Sequence, residues 1–257
     1  MSAEPDLLAQ ARAILQNANH MVALTGAGIS TPSGIPDFRS PHSGVWDNAD
    51  PIKVASIYAF NLDPHPFFEW IRPLAKLTIE AQPNPAHIAL AHMEKYGPLK
   101  SVITQNIDLL HSKAGSQTVY EVHGHLREAT CVGCHKSVPL EPFMPDFIAT
   151  GIIPMCPTCG NVFKPNVILF GELLPTHILK QAQADAENCD VMLVAGSSLT
   201  VSPAGDLPLL AKKSGAKLIF VNFSETHLDH LADVVLHEDV VEILPQLAAV
   251  FAPNGVS

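Results

Sequence analysis

Long apolar runs and secretion signals are absent from the sequence of 257 residues. A membrane-spanning helix needs roughly 20 consecutive apolar residues, and no stretch approaches that length. The segment Met1–Asp6 is acidic and lacks the basic and then apolar pattern of a secretion signal. We therefore expect a cytoplasmic protein with no membrane partner.

Basic residues are scarce, with 15 lysines and arginines against 25 acidic residues and a net charge of −10. Such a surface repels phosphate backbones, so we expect no direct binding of nucleic acid. It would attract lysine-rich protein tails, although a negative surface also keeps a protein soluble without any partner. The chain is long enough to bury a sizeable core, and we expect a monomer.

Cysteine is also scarce, and four of the five cysteines form two Cys-x-x-Cys pairs, Cys131 with Cys134 and Cys156 with Cys159. This spacing suits one structural Zn²⁺, because four thiolates complete a tetrahedron and leave no open position for catalysis. A redox role is a weaker alternative, since neither pair follows a strand at the N-terminus of a helix. Cys189 is predicted to be a small buried residue.

A glycine-rich turn, Gly26-Ala27-Gly28, follows an apolar run that predicts a buried strand over 20–24. Glycines let the backbone approach a pyrophosphate, which the free N–H groups of the next turn can bind. The match to the pattern of hydride-transfer enzymes is incomplete, because Thr31 stands where glycine or alanine is expected. An acidic strand end about 20 positions on is also missing. By itself the turn is equally an ordinary tight connection.

Polar residues follow two further predicted strands. The block Thr104–Asp108 comes directly after the apolar run 99–103, and His123 follows the strand 118–122. Polar groups at the carboxyl ends of parallel strands meet at one edge of a sheet. Taken alone, an Asn or Asp here is as well explained as a turn-forming residue that caps its own backbone.

Several further blocks of residues complete the pattern. They are GAGIS at 26–30, GIPDFRS at 34–40, TQNIDLLHSKAG at 104–115, HG at 123–124, KPNVILFGE at 164–172, GSSL at 196–199 and VN at 221–222. In these blocks and their order the chain resembles the sirtuins, the NAD-dependent protein lysine deacylases. The resemblance implies NAD as co-substrate and an acetylated lysine of a protein or peptide as substrate.

Alternation of apolar and helical segments predicts an α/β fold with a doubly wound, parallel, Rossmann-like sheet. The later apolar runs lie at 167–170, 191–195, 217–221 and 233–236, and helices are predicted near 5–18, 85–96, 175–188, 203–213 and 239–250.

The chain is predicted to form two domains with ligands in the cleft between them. Residues 1–40, 85–126 and 164–257 would form the NAD-binding domain. The proline- and aromatic-rich segment 41–84 would be a helical insertion, and 127–163 a zinc-ribbon insertion. Together the insertions would form the smaller domain.

The resemblance implies that His123 is the general base and that Asn106 acts with it in the catalytic centre. Histidine titrates near neutral pH and accepts a proton without a large pKa shift. In the implied mechanism the acyl-lysine carbonyl oxygen attacks C1′ of the ribose as nicotinamide leaves, and His123 draws a proton from the ribose hydroxyls. The products are lysine, nicotinamide and 2′-O-acetyl-ADP-ribose.

The residues that the resemblance assigns to NAD lie in two loops and at strand ends. They are Gly26, Ala27, Gly28, Ser30, Ile35, Asp37, Phe38, Arg39, Gln105, Asn106, Ile107, Asp108, His123, Gly196, Ser197, Ser198, Asn222 and Val240. Asp108 and the backbone of Ile35 would hold the carboxamide, and Phe38 would shield C1′ from water. Ser197 would bind phosphate and Asn222 the adenosine ribose.

The peptide is implied to lie as an added strand between 168–172 and 201–204. Its contacts would be Ile168, Phe170, Gly171, Glu172 and Val201. Relatives that remove succinyl or malonyl groups carry Tyr-x-x-Arg in the helical insertion, and the matching positions are predicted to be Phe68 and Ile71. An apolar pair leaves a buried carboxylate without a partner. We therefore predict a preference for acetyl and other neutral short acyl groups.

Three other functions remain open at this point. Mono-ADP-ribosylation would use the same bond cleavage with another acceptor. A catalytically silent NAD-binding module would recruit acetylated proteins without releasing nicotinamide, and it would fit better if Asn106, Asp108 or His123 were missing. A zinc-containing dehydrogenase is disfavoured by the closed zinc site and the missing ribose acid.

Overall fold

The computed structural model describes residues 6–37 and 50–251. The predicted NAD contacts Phe38 and Arg39 lie outside this part of the chain. The elements in chain order are α1 (Leu7–Gln16), β1 (Met21–Thr25), α2 (Pro51–Val54), α3 (Ile57–Leu62), α4 (His65–Glu80), α5 (Pro85–Tyr96), β2 (Leu99–Thr104), α6 (Leu110–Ala114), β3 (Val119–Glu121), β4 (Gly124–Cys131), β5 (Ser137–Pro139), α7 (Met144–Thr150), β6 (Phe163–Val167), α8 (Thr176–Asn188), β7 (Val191–Ala195), α9 (Leu207–Lys213), β8 (Lys217–Val221), β9 (Val234–Leu236) and α10 (Val240–Ala248). Within the described ranges, every helix is too short or too polar to cross a bilayer.

Six strands form one parallel sheet in the order β3-β2-β1-β7-β8-β9. The central strands β1 and β7 are buried along their whole length, because a strand covered on both faces must be apolar throughout. The sheet grows outward from β1 on one side and from β7 on the other. Ligands bind at such a switch point, beyond the carboxyl ends of the strands. The predicted doubly wound sheet is confirmed.

Helices cover both faces of this sheet. On one face α1, α5 and α10 pack around Leu15, Leu90 and Leu244. On the opposite face α8 and α9 pack around Ala186 and Leu207. These two cores hold the strand ends rigid, which is what a precisely positioned site requires.

Local capping determines where the predicted helices begin and end. The Asn84 side chain accepts a hydrogen bond from Ala86 N, so α5 begins at the predicted position and ends before Gly97. Helix α1 is shorter than the predicted 5–18, because Asp6 caps its N-terminus by accepting from Ala9 N. An Asn or Asp at this position satisfies an otherwise unpaired backbone donor.

A three-stranded antiparallel sheet, β5-β4-β6, carries the cysteine pairs. It packs with α3, α4 and α7 around one core that includes Phe60, Phe67, Phe147 and Phe163. The first two belong to the helical segment and the last two to the zinc-bearing segment, so both segments share a core. The division of the whole chain into two domains stays a prediction.

The prediction of a strand of the parallel sheet at 167–170 is wrong. Strand β6 lies earlier and pairs antiparallel with β4 in the small sheet. Its alternate residues are buried, but Pro165 occupies the central buried position, and a proline within a run argues against a strand. Residues 168–169 leave the sheet, and Phe170 forms an isolated parallel bridge with Ser56.

Candidate active site

A cavity of about 730 Å³ lies between the carboxyl edge of the parallel sheet and the small sheet with its helices. The predicted site residues that line it are Gly26, Ala27, Gly28, Asp37, Gln105, Asn106, Ile107, His123, Ile168, Phe170, Gly171, Glu172, Gly196, Ser197, Ser198, Val201, Asn222 and Val240. Ser30, Ile35 and Asp108 line a smaller cavity of about 50 Å³, which shares Asn106 with the first. Every predicted NAD or peptide contact within the described residues is thus brought to one place.

Glycines bring the loop after β1 against the loop after β7. Gly28 N donates to Gly196 O at 2.8 Å. A Cβ on Gly26 would lie 2.9 Å from Gly196 O, and a Cβ on Gly196, whose φ is +61°, would lie 2.2 Å from Ile29 N. Because side chains are excluded here, the backbone remains open to a ligand. Such a cradle fits a pyrophosphate, which binds backbone N–H groups.

Asn222, which follows β8, is buried with one donor unpaired. Its Oδ1 accepts from Ser197 N at 2.8 Å, while its Nδ2 has no hydrogen-bond partner among the described residues. A buried unpaired donor costs roughly 1–3 kcal/mol, which a hydroxyl oxygen of a bound ligand would relieve. Ser197 Oγ accepts from Gln105 Nε2 at 2.9 Å. The donor therefore fits a ribose close to the glycine cradle.

A buried hydrogen-bond network orients Asn106 and Asp108. Asn106 Nδ2 donates to Gly26 O at 3.1 Å and to Ser30 Oγ at 3.0 Å. Ser30 Oγ donates to Asp108 Oδ2 at 2.7 Å, and Leu110 N donates to Asp108 Oδ1 at 2.9 Å. Both side chains are therefore rigid polar groups of the cavity wall, in addition to shaping the turn after β2.

Two buried histidines lie behind this network. His87 Nε2 is 3.5 Å from Ser30 Oγ, and His111 Nε2 is 2.9 Å from Thr25 Oγ1. Burial lowers the pKa of His87 to about 4, with a smaller opposing effect of Asp108, and burial lowers the pKa of His111 well below its usual value. Both rings are therefore neutral at neutral pH. His87 carries no sequence signal, because a histidine within an ordinary amphipathic helix looks like any partly buried residue.

His123 immediately precedes β4 and lines the cavity. Its Nδ1 lies 3.0 Å from the backbone oxygen of Gln105. A carbonyl oxygen only accepts, so Nδ1 carries the proton and Nε2 of the neutral ring is left as an acceptor. Burial lowers the pKa of His123, and the hydrogen bond to Gln105 opposes this shift in part. The ring is thus neutral and able to take up a proton at neutral pH.

Aromatic and apolar residues of α4 form another part of the cavity wall. Phe67, Trp70 and Ile71 line it, although Phe67 and Trp70 were not indicated by the sequence, because aromatic residues in a helix usually fill a core. Phe223 and Glu225 also line it, and their closeness to Asn222 in the sequence was the available signal.

The predicted position of the acyl-selecting pair needs correction. Ile71 lines both cavities, but Phe68 is buried against Phe147 at a ring distance of 5.6 Å and lines neither. The residue that faces the smaller cavity at the matching spacing is Leu74, because residues three apart share a helix face. Arg72 points elsewhere, donating to Ile148 O at 2.9 Å through Nε.

The cysteine pairs form a compact site outside the cavity. The sulfur atoms of Cys131, Cys134, Cys156 and Cys159 all lie within 4.8 Å of one another. Four thiolates in this arrangement suit tetrahedral zinc. Asn161 N donates to the Cys159 sulfur, and this and other hydrogen bonds lower the pKa of Cys159 to about 6. The predicted structural zinc site is confirmed as a set of positioned ligands.

Comparison with known proteins identifies the family of the chain. The model of the Sir2 family matches residues 26–203. An NAD-dependent protein deacylase 2 from Archaeoglobus fulgidus is 45% identical over 243 residues, covering 94% of this chain and 95% of that protein. An NAD-dependent protein deacetylase 1 from Pyrobaculum aerophilum is 44% identical over 242 residues, covering 94% of each.

A solved structure is similar over the same range. It is a Sir2 protein with a p53 peptide and NAD⁺, 40% identical, with a TM-score of 0.83. The similarity covers 92% of this chain and 95% of that one. Sequence blocks, sheet order and site geometry thus lead to one assignment: the chain belongs to the Sir2 family.

Proposed function

We propose that this protein is an NAD-dependent protein lysine deacetylase. It transfers the acetyl group of acetyl-lysine to ADP-ribose, consumes one water molecule, and releases nicotinamide, 2′-O-acetyl-ADP-ribose and free lysine. The observation that carries the proposal is the neutral His123 ring, whose Nδ1 is committed to Gln105 O, in the same cavity as the glycine cradle and Asn222.

NAD would be held by groups in the loops after the strands of the parallel sheet. Gly26, Gly28 and Gly196 keep the backbone accessible for the pyrophosphate, and the unpaired Nδ2 of Asn222 meets the adenosine ribose. Asn106 and Asp108 would bind the nicotinamide end. When bound, NAD supplies the nicotinamide–ribose bond that is broken and the ribose that receives the acyl group.

His123 acts as the general base at its Nε2 atom, which accepts a proton from a ribose hydroxyl. The hydrogen bond from Nδ1 to Gln105 O holds the ring orientation and stabilises the positive charge that forms. Because desolvation keeps the ring neutral beforehand, the base is available without a carboxylate partner. Phe67, Trp70 and Ile71 form an apolar part of the cavity wall, which would limit the access of bulk water and hence simple hydrolysis.

The acetylated lysine would enter between 168–172 and Val201, with the peptide added as a strand. Backbone pairing carries little sequence information, so we expect broad tolerance of peptide sequence. The Sir2 structure with a p53 peptide supports a protein or peptide substrate. We still predict from the sequence that the protein is a monomer, that it is located in the cytoplasm and that it does not bind nucleic acid.

The acyl group would be neutral and short. None of the described residues that line either cavity is a lysine or arginine. Glu225 lines the larger one, and its charge would repel the carboxylate of a succinyl or malonyl group. A succinyl or malonyl carboxylate would therefore lose its hydration without gaining a partner.

The deciding experiment measures nicotinamide release from NAD with an acetyl-lysine peptide. The wild type should release nicotinamide only when the peptide is present, and His123→Ala should lose this activity while still binding NAD. His65→Ala is the matched control, because His65 is exposed and forms an ion pair with Asp63, away from the residues that line the cavity. A folded wild type that binds NAD and the peptide but releases nothing would indicate the silent binding module instead.

A further inference from the structure

A nearly buried ion pair closes the segment that forms the peptide side of the cavity. Lys164 Nζ lies 2.9 Å from Glu172 Oε2, and the two side chains are only 13% and 23% exposed. Lys164 Nζ also donates to Val167 O at 2.8 Å. The same Glu172 Oε2 accepts from Leu169 N at 2.7 Å. The ion pair between Lys164 and Glu172 therefore joins the two ends of the turn at 164–172.

The turn closed in this way is the one that lines the cavity. Val167, Leu169 and Glu172 face it, whereas Lys164 does not contribute to its lining. The Glu172 carboxylate is directed to Lys164 and Leu169 N, so its charge is engaged within the protein. Its effect on a peptide must therefore pass through the backbone that it holds.

Two further contacts join this turn to the rest of the site. Ile168 N donates to His123 O at 2.9 Å, which places the turn directly beside the base. Phe170 N donates to Ala55 O at 2.9 Å, and Ile57 N donates to Phe170 O at 3.0 Å. The turn is thus hydrogen-bonded to the residue that carries the base and to the helical segment. The ion pair constrains the backbone between these two points of attachment.

Breaking one partner of such a pair is costly, because it leaves an uncompensated charge in a site with little water. If Lys164 lost its charge, Glu172 would turn toward solvent and release Leu169 N. The backbone at 168–172 would then lose a constraint at the edge that receives the peptide strand. NAD contacts in the glycine cradle lie on other elements and would be unaffected.

We propose that Lys164 is a positioning residue for the peptide substrate, which acts through Glu172 to hold backbone 168–172 in the geometry that accepts the acyl-lysine strand. The inference rests on the proposed deacetylase function. Peptide contacts that are equally strong in the ground state and the transition state affect binding alone. Their loss raises the KM for the peptide and leaves kcat nearly unchanged. A merely stabilising pair would change neither constant in the folded enzyme.

The test compares Lys164→Met, Glu172→Gln, Lys164→Arg and the control Lys212→Met. Glu172→Gln keeps an acceptor for Leu169 N while removing the charge, and Lys164→Arg keeps the pair. Lys212 forms a comparable pair with Asp233 at 2.7 Å, remote from the cavity. Lys164→Met should raise the peptide KM roughly fivefold to tenfold, the size of one ordinary hydrogen bond lost between backbone 168–172 and the peptide. Its KM for NAD should stay unchanged, Lys164→Arg should restore the peptide KM, and Lys212→Met should resemble the wild type.

A second readout separates this proposal from the proposed function. Amide hydrogen exchange of the 164–172 segment should accelerate in Lys164→Met and Glu172→Gln but not in Lys212→Met. Accelerated exchange in the variants, together with a wild type that binds the acetyl-lysine peptide but releases no nicotinamide, would overturn the deacetylase function, and the peptide Kd of the variants would then replace KM as the measure of the positioning role. Unchanged exchange, or an unchanged peptide KM in an active Lys164→Met enzyme, would overturn the positioning role. If Lys164→Met does not fold, Glu172→Gln decides by the same two measurements.

Discussion

The Nδ1 atom of His123 lies 3.0 Å from the backbone oxygen of Gln105, and this contact assigns the tautomer of the base. Gln105 follows β2, while His123 immediately precedes β4. The base is therefore oriented by the backbone of a neighbouring strand end and needs no carboxylate. Its protonation then depends mainly on burial, which disfavours the charged ring.

The pH dependence of kcat/KM should reflect this lowered pKa of His123. The neutral ring is the active form, so activity should fall only when pH drops below the usual histidine value of 6.5. Measurement of peptide-dependent nicotinamide release between acid and neutral pH checks this expectation. An acidic limb centred at or above 6.5 would contradict the desolvated base.

Acid should destabilise the fold through His87 and His111. Their folded pKa values are depressed, His87 to about 4, so the unfolded chain binds protons first as pH falls. The contribution of the two neutral rings to the free energy of unfolding is fully present above pH 6.5. It is lost as the pH drops from 6.5 toward 4, and the loss is on the order of 2–3 kcal/mol for His87.

Urea unfolding at several pH values measures that slope. His87→Gln should unfold more easily at neutral pH but show a flatter pH dependence than the wild type. The exposed His65 provides the control, because His65→Ala should leave the slope unchanged. An equally steep slope in His87→Gln would assign the acid sensitivity to other groups.

Gly196→Ala should abolish NAD binding and destabilise the protein by about 2 kcal/mol or more, since overpacking against backbone costs on that scale. Its Cβ would lie 2.2 Å from Ile29 N. Gly215→Ala is the matched control, because Gly215 also has a positive φ, +100°, but nothing within 4 Å of an added Cβ. Calorimetry of NAD binding to both variants separates the steric effect of the added methyl group from the effect of a positive φ. Equal NAD affinities of the two variants would argue against the glycine cradle.

Removal of zinc should unfold the small antiparallel sheet and abolish activity indirectly. Cys131 and Cys156 are buried in the core that the two insertions share, so loss of the metal exposes that core. Metal analysis should find one Zn²⁺ per chain in the wild type and in Cys189→Ala, and none in Cys156→Ser. A melting profile unaffected by a chelator would contradict a structural role.

Acetyl-lysine peptides should be turned over at least roughly tenfold faster than succinyl-lysine peptides, since an unpaired buried carboxylate costs several kcal/mol. Ile71 and Leu74 are the residues to change, because both face the smaller cavity. The double variant Ile71→Tyr with Leu74→Arg should narrow the difference, while Phe68→Tyr should not. Faster succinyl removal by the wild type would contradict the preference.

Short-range signals in the sequence were sufficient for the central strands of the parallel sheet and for the zinc ligands. Continuous apolar runs at 191–195 and 217–221 predicted buried strands because burial on both faces removes alternation. The cysteine spacing required no tertiary information, since each pair forms one tight turn. The glycine turn and the block Thr104–Asp108 were recognisable because special backbone and polar groups stand at strand ends.

Contacts between distant segments were decided only by the tertiary structure. Three features depend on residues far apart in the chain or on side-chain direction. They are the antiparallel pairing of β6, the Lys164–Glu172 pair and the burial of His87. The shift from Phe68 to Leu74 depends on how α4 is rotated about its axis. Sequence periodicity reports which faces are apolar, but packing alone determines which neighbour each face meets.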